Sequence, residues 1–489
     1  MKRTVTGRLN RPAVIAFLLF TFAFSVFAQE TPPAPGPARS VNIPAVKETK
    51  LKNGLTVAVI EKKGVPVVSV QLLVKAGASL EGIEKAGLAN LTADMLTKGT
   101  KTRTAEQIAE QMEFLGSSIN SGASWNSSNV GMTVTTDKLD AAMAIFSDVV
   151  LNPSFKQEEL DLLKSQTLDD LKASLQQPGF LANYVASVYS YREHPTGGTP
   201  DSIGAISRAD IDGFFTRGYQ PRKSILIFVG DITAANASRI AERFMGNWKA
   251  ENESPGVAYA AGIGRIGKDS AYRRLLVVDL PNSGQASVNY AVPSEIGRTN
   301  KDYYGASVLN SVLGGGYSSR LNQEIRIKRG LSYGASSGFG WRGGSSNFRA
   351  SAQTKVVSAA EVAELVVAEL NRLRDTDVAD AEIVPRKAVL TGGFGRNLET
   401  NQGLAGALGD LYGFDIPTTE LNAYVSNVNS VPNSAIRSFA QKNLVNGDLI
   451  IVGDYEKFKD DLARRFPNAK IEVIKAAELD ISKPNLRKQ

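Results

Sequence analysis

Apolar positions along this chain follow two rhythms, and the places where one gives way to the other mark out its elements. Leu51 to Glu61 and Val67 to Ala76 read as a pair of strands joined through Lys62-Lys63-Gly64-Val65-Pro66. Helical spacing follows at Leu88 to Leu96, Ala105 to Leu115, Leu139 to Leu151, Gln157 to Leu175, Gly179 to Tyr189 and Arg208 to Tyr219. A continuous apolar run, Ser224 to Asp231, then ends in Gly-Asp and leads into an amphipathic helix, Ala235 to Trp248. The same sequence of events recurs about 220 residues later, where Leu449 to Asp454 ends in Gly-Asp and precedes a helix at Phe458 to Phe466. An earlier pair agrees: Ala286 to Val292 precedes the helix Tyr303 to Leu313 as Val67 to Val74 precedes the first helix. A period this long indicates a whole domain built twice. The expected fold is therefore α+β, two homologous domains at 43–250 and 271–480, each a mixed sheet with helices packed on one face. Between them lies a linker, 251–270, with Pro255 and little periodicity; residues 481–489 read as a tail.

The first residues look like an address. Lys2, Arg3, Arg8 and Arg11 precede an apolar run, Ala13 to Phe27, that ends in Val26-Phe27-Ala28, a small-x-small cleavage pattern. We read residues 1–28 as a signal peptide and 29–42, with Pro32, Pro33, Pro35 and Pro37, as an extended tether. Export to the periplasm of a Gram-negative bacterium follows, with no transmembrane segment left after cleavage. The leader holds four Lys or Arg and no acid, so the formal charge of +7 falls to +3 without it, too little to argue for nucleic acid. With no cysteine, nothing rests on disulfides or thiolate metal sites.

Candidate chemistry centres on Gly87 to Thr100. Leu88, Leu91 and Met95 share one helical face, and Asn90, Ala93, Asp94 and Thr97 another. The flanking Gly-Leu-Ala and Met-Leu-x-Lys-Gly-Thr resemble the zinc-site helix of the insulinase or pitrilysin-type metallopeptidases. That resemblance places the family's inverted His-x-x-Glu-His motif on positions 90, 93 and 94, where this chain has Asn90, Ala93 and Asp94. Two imidazoles one turn apart clamp Zn²⁺, and the intervening glutamate takes a proton from the metal-bound water. Asn90 offers only an amide oxygen, and Ala93 is no base. The family's third ligand aligns near Leu168 to Leu171, so Asp169 or Asp170 takes its place. Aspartates without a base suit a hard cation rather than hydrolytic zinc. As ordinary polar positions, Asn90 and Asp94 need no metal at all.

The resemblance continues through Leu51-Lys52-Asn53-Gly54-Leu55-Thr56-Val57, His194-Pro195-x-Gly197, Ser202-Ile203 and Tyr219-x-Pro221. It then extends through Gly314 to Leu321 and Glu324 to Tyr333 in the second half. It implies a clamshell-like pair of domains similar to the mitochondrial processing peptidases. It also implies that Arg326 and Tyr333, seven residues apart, bind substrate backbone near the scissile carbonyl. A guanidinium and a phenol are suitable donors for a peptide carbonyl or an oxyanion. Without the motif, Arg326 reads as a solvated cation beside Lys328 and Arg329. Gly314 to Gly316 lacks a following Gly-Lys-Ser/Thr and reads as a turn before a helix, not a phosphate loop. Gly392-Gly393-Phe394-Gly395 puts a helix in doubt there, as a hinge or a close-packed site. His194, the only histidine, cannot assemble a zinc site alone and reads as stabilising its loop.

Together these readings imply a subunit with no catalytic residue and no cofactor of its own. It would bind peptides or unfolded segments beside a zinc-bearing homologous chain. The alternatives are a proteolytically inactive scaffold or peptide-binding protein, and an enzyme with a metal at Asp94 and Asp169 or Asp170.

Overall fold

A computed structural model describes residues 43–249 and 272–488, the side chains of 272 and 273 excepted. The expected signal peptide, tether and linker lie outside the described residues. The first half runs β1 (Lys47–Lys50), β2 (Thr56–Glu61), β3 (Val67–Val74), α1 (Leu88–Met95), α2 (Ala105–Phe114), β4 (Asn120–Ala123) and β5 (Ser128–Thr135). It continues with α3 (Leu139–Leu151), α4 (Gln157–Leu175), α5 (Pro178–Tyr189), α6 (Pro200–Ala205), α7 (Arg208–Gly218), β6 (Ser224–Gly230) and α8 (Ala234–Met245). The second half runs β7 (Tyr272–Asp279), β8 (Gln285–Ser294), α9 (Tyr303–Leu313), a π-helical turn (Asn322–Ile327), β9 (Ala335–Trp341), β10 (Ser346–Lys355) and α10 (Ala359–Asp375). It ends with α11 (Asp380–Leu398), α12 (Asn401–Gly413), α13 (Glu420–Ser430), α14 (Asn433–Asn443), β11 (Gly447–Gly453), α15 (Lys459–Arg465) and β12 (Ile471–Lys475).

The internal repeat is visible in the two sheets, whose strand orders are β1-β2-β6-β3-β5-β4 and β12-β7-β11-β8-β10-β9. The continuous apolar runs β6 and β11 are buried throughout and take inner positions, which is why they lack alternation. β2 and β3 are not the adjacent pair that their short connection suggested. β6 lies between them, parallel to β2 and antiparallel to β3, and Lys62 to Pro66 steps over it. The hairpin β4–β5 went unread because Asn, Ser and Gly dilute its apolar alternation to Val130, Met132 and Val134. The Gly392 to Gly395 stretch is helical, since α11 runs unbroken from Asp380 to Leu398. A Cβ at Gly392 or Gly393 would meet only the Arg396 guanidinium, so close packing does not require these glycines.

Each sheet has helices of its own half on one face, and the other face is covered from the opposite half. On the first sheet, Leu404, Ala405, Leu408 and Leu411 of α12 cover Ala58, Ile60, Ile225, Ile227 and Val229. On the second, Leu181, Ala182, Val185 and Ala186 of α5 cover Leu276, Val278, Ile450 and Val452. The closing segment joins this second layer, where Leu486 is fully buried. The halves thus form a two-domain clamshell within one compact unit.

Candidate functional site

Helix α1 begins at Gly87, whose φ of 94° lies in the left-handed region. A Cβ there would also come within 2.6 Å of Ile203 Cδ1 and 3.2 Å of the Gly198 backbone, so the positive φ and the close packing both favour glycine. The first-turn amides are met by Glu81, a residue the sequence reading did not single out. Its Oε1 accepts from the Gly87 N–H (2.8 Å) and its Oε2 from the Ala89 N–H (2.6 Å). Glu81 is 3 % exposed, and burial pushes its carboxyl up to about 8 despite the lowering effect of those amides.

His194 lies beside it. Its Nε2 is 3.1 Å from the Ala78 carbonyl oxygen and its Nδ1 is 3.6 Å from Glu81 Oε1. A carbonyl only accepts, and Nδ1 also lies 3.4 Å from the Pro195 carbonyl oxygen; the shorter contact at Nε2 favours the proton there in the neutral ring. Burial also lowers the pKa of His194, so the neutral imidazole and the protonated Glu81 are mutually consistent. The histidine therefore pins the loops 78–81 and 194–196, as expected of it.

In the first turn of α1, both polar atoms of the Asn90 side chain are engaged. Its Nδ2 donates to the Thr196 carbonyl (2.7 Å) and its Oδ1 accepts from the Ala123 N–H (3.2 Å), tying the helix to a loop and to edge strand β4. Ala93 is wholly buried. Asp94 is half-buried, and desolvation raises its pKa while Lys98 opposes this. Asp169 and Asp170 sit exposed on α4, with Asp169 3.5 Å from Lys172. No group of three or more His, Cys, Asp or Glu that could hold a metal occurs among the described residues.

In the second half, Arg326 lies on the π-helical turn, half-buried, with its guanidinium carbon 4.9 Å from the Tyr317 ring centroid. Tyr333 is 93 % exposed and lines a cavity of about 680 Å³ bounded by α5 and strands β8 to β10. The Gly314 to Gly316 turn brings the end of α9 against β9, and a Cβ at Gly314 would lie 2.3 Å from Ser337 N.

Contacts also join the two halves beside the degenerate helix. Arg342 stacks on Trp125 (4.7 Å) and bonds Glu193 (2.8 Å), while Asn126 Nδ2 donates to the Trp341 carbonyl (3.3 Å). None of these residues carries a short motif, which is why sequence reasoning passed over them.

A twice-built sheet-and-helix clamshell, with its would-be metal helix tied down by an amide, is the class that this geometry defines: a metallopeptidase fold without the ligands. Family models match in tandem, Insulinase (Peptidase family M16) over residues 56–195 and Peptidase M16 inactive domain over 205–390. The chain belongs to this insulinase-like M16 family. It is 29 % identical over 296 residues to an uncharacterized zinc protease of Rickettsia bellii, covering 59 % of this chain and 68 % of that one. It is 27 % identical over 273 residues to the non-peptidase homolog YmxG of Helicobacter pylori, covering 55 % of this chain and 61 % of that one. The crystal structure of the peptidase M16 inactive domain from Pseudomonas fluorescens superposes with a TM-score of 0.74 at 25 % identity, covering 83 % of this chain and 98 % of that one.

Proposed function

We propose that this chain is a non-catalytic, substrate-binding subunit of an exported heterodimeric zinc endopeptidase. The partner chain, a zinc-bearing homologue, supplies metal, water and glutamate base; this chain holds the peptide and closes the cavity. The observation that carries the reading is Asn90. A side chain that satisfies Thr196 and Ala123 at once is a structural tie built where a zinc ligand would stand, and Ala93 beside it leaves no base. What remains open is a cavity of peptide size, lined by Asn, Gln and Ser side chains and Lys355, with Tyr333 among its lining residues. Arg326 is the second substrate contact in this reading, donating to a backbone carbonyl once it leaves Tyr317. Export and periplasmic residence rest on the leader pattern of residues 1–28. No described helix is long and apolar enough to cross a membrane.

The test is recovery of the mature chain from its native compartment, followed by peptide cleavage with and without a zinc chelator. Co-recovery of a homologue with an intact zinc motif, and chelator-sensitive cleavage weakened by Arg326→Ala or Tyr333→Phe, supports the subunit reading. Zinc-dependent cleavage by this chain alone defeats it. Recovery alone with peptide binding but no cleavage moves the assignment to an inactive peptide-binding protein.

A further inference from the structure

Strand β10 sends Phe348 and Ala350 into the core and Asn347, Arg349 and Ser351 to the opposite face, toward the space between the halves. Arg349 gives one N–H to Asn183 Oδ1 (2.6 Å), and no carboxylate pairs with it among the described residues. Its neighbour on edge strand β9 is Gly338, where an added Cβ would meet nothing within 4 Å, so that strand sets no side chain beside Arg349.

The nearby acids are already committed. Glu193 Oε2 accepts from Arg342 Nη2 (2.8 Å) and Asn347 Nδ2 (2.6 Å). Asp448, which shares the face across Ala291, is held by both Nε (2.8 Å) and Nη2 (2.5 Å) of Arg274. Arg342 itself keeps a buried Nε with no partner. Both guanidiniums line a cavity of about 410 Å³ whose wall includes Thr196, the residue that receives Asn90 from the degenerate helix. The repeat gives no such cation in the other half: by sheet register the counterpart of Arg349, which pairs with Ala291, is Asn129, which pairs with Leu73. The fold therefore stands without a charge at this position.

We propose that this cavity takes a carboxylate of the bound peptide, an acidic side chain or a free C-terminus, against Arg349, with the Arg342 guanidinium lining the same cavity. The inference rests on the peptide-binding reading above and adds a preference to it. A charge-assisted pair in a half-buried site favours the carboxylate over its neutral amide by about tenfold or more.

The test is fluorescence anisotropy of the purified mature chain with four labelled, unstructured peptides: central Glu or Gln, each with a free or an amidated C-terminus. At least one carboxylate form is expected to bind about tenfold tighter than the Gln-amide peptide, and which one identifies the source. The ratio is expected to fall toward one in Arg349→Gln, in Gly338→Val, which walls the cavity without removing charge, and at high salt. Equal binding of all four peptides, or a ratio that both variants leave intact, overturns this inference and leaves peptide binding standing. Failure of every peptide to bind overturns both.

Discussion

Replacing Asn90 by alanine isolates the feature on which the functional reading depends. The substitution deletes two hydrogen bonds, to Thr196 and from Ala123, that join α1 to a loop and to edge strand β4. Each contributes about 1 kcal/mol net, so the variant is expected to lose about 2 kcal/mol, roughly a thirtyfold shift in the folding equilibrium. Asn90→Asp is nearly isosteric and keeps the acceptor for the Ala123 amide, yet it removes the donor and sets an anionic oxygen against the Thr196 carbonyl. It is therefore expected to cost at least as much as alanine. Urea unfolding measures both variants as a lowered midpoint at unchanged slope, and faster hydrogen exchange at the Ala123 amide localises the loss to β4. A midpoint unmoved in both variants would refute the claim that this position is a structural tie.

Rebuilding the motif by Asn90→His, Ala93→Glu and Asp94→His together is expected to yield no zinc-dependent peptidase, because Asp169 and Asp170 are exposed on α4 and offer no third ligand; a chelator-sensitive cleavage assay checks this. Glu81 has a folded-state pKa raised from 4.5 to about 8, so the folded chain keeps a proton that the unfolded chain releases. Its stabilising contribution is full below about pH 4.5 and declines as pH rises to about 8, and Glu81→Gln is expected to flatten that slope in a pH series of unfolding midpoints. His194 acts in the other direction: its pKa is lowered from 6.5, so its contribution is present above that value and declines on acidification, a dependence that His194→Gln removes. Trp125→Ala removes the ring against which Arg342 stacks between the halves, and a stability loss of about 1 kcal/mol, read as a lowered urea midpoint, is the expected result.

Much of this fold was legible because its apolar rhythms are strong. The helices Leu139–Leu151, Gln157–Leu175 and Tyr303–Leu313 have the boundaries that periodicity gives them, and the two Gly-Asp strands announce the repeat. Strand neighbours were not legible, because the interposition of β6 between β2 and β3 is a long-range fact that no local pattern encodes. Helix α11 runs through its glycines because flanking turns and packing outweigh an intrinsic cost of about 1 kcal/mol per glycine. At the site, the loss of the zinc ligands could be read from positions 90, 93 and 94. What Asn90 does instead could not, since Thr196 and Ala123 are distant in sequence and contribute only backbone atoms. Glu81, Arg342 and Arg349 were invisible for the same reason: their meaning lies in which partners the fold brings to them.

The exchange of helices between the halves sets a schedule for the chain as it is made. When β6 leaves the ribosome, the first sheet has every strand it needs, yet Ala58, Ile60, Ile225, Ile227 and Val229 have nothing to lie against. Helix α12, which covers them, is encoded about 170 residues later, on the order of ten to thirty seconds of synthesis. Helix α5 waits in turn for the strands β8 and β11 that it covers. The nascent first half is thus a client for whatever shields apolar surface in the meantime. Neither half on its own is a complete folding unit, and halves expressed separately are expected to be soluble only when co-expressed.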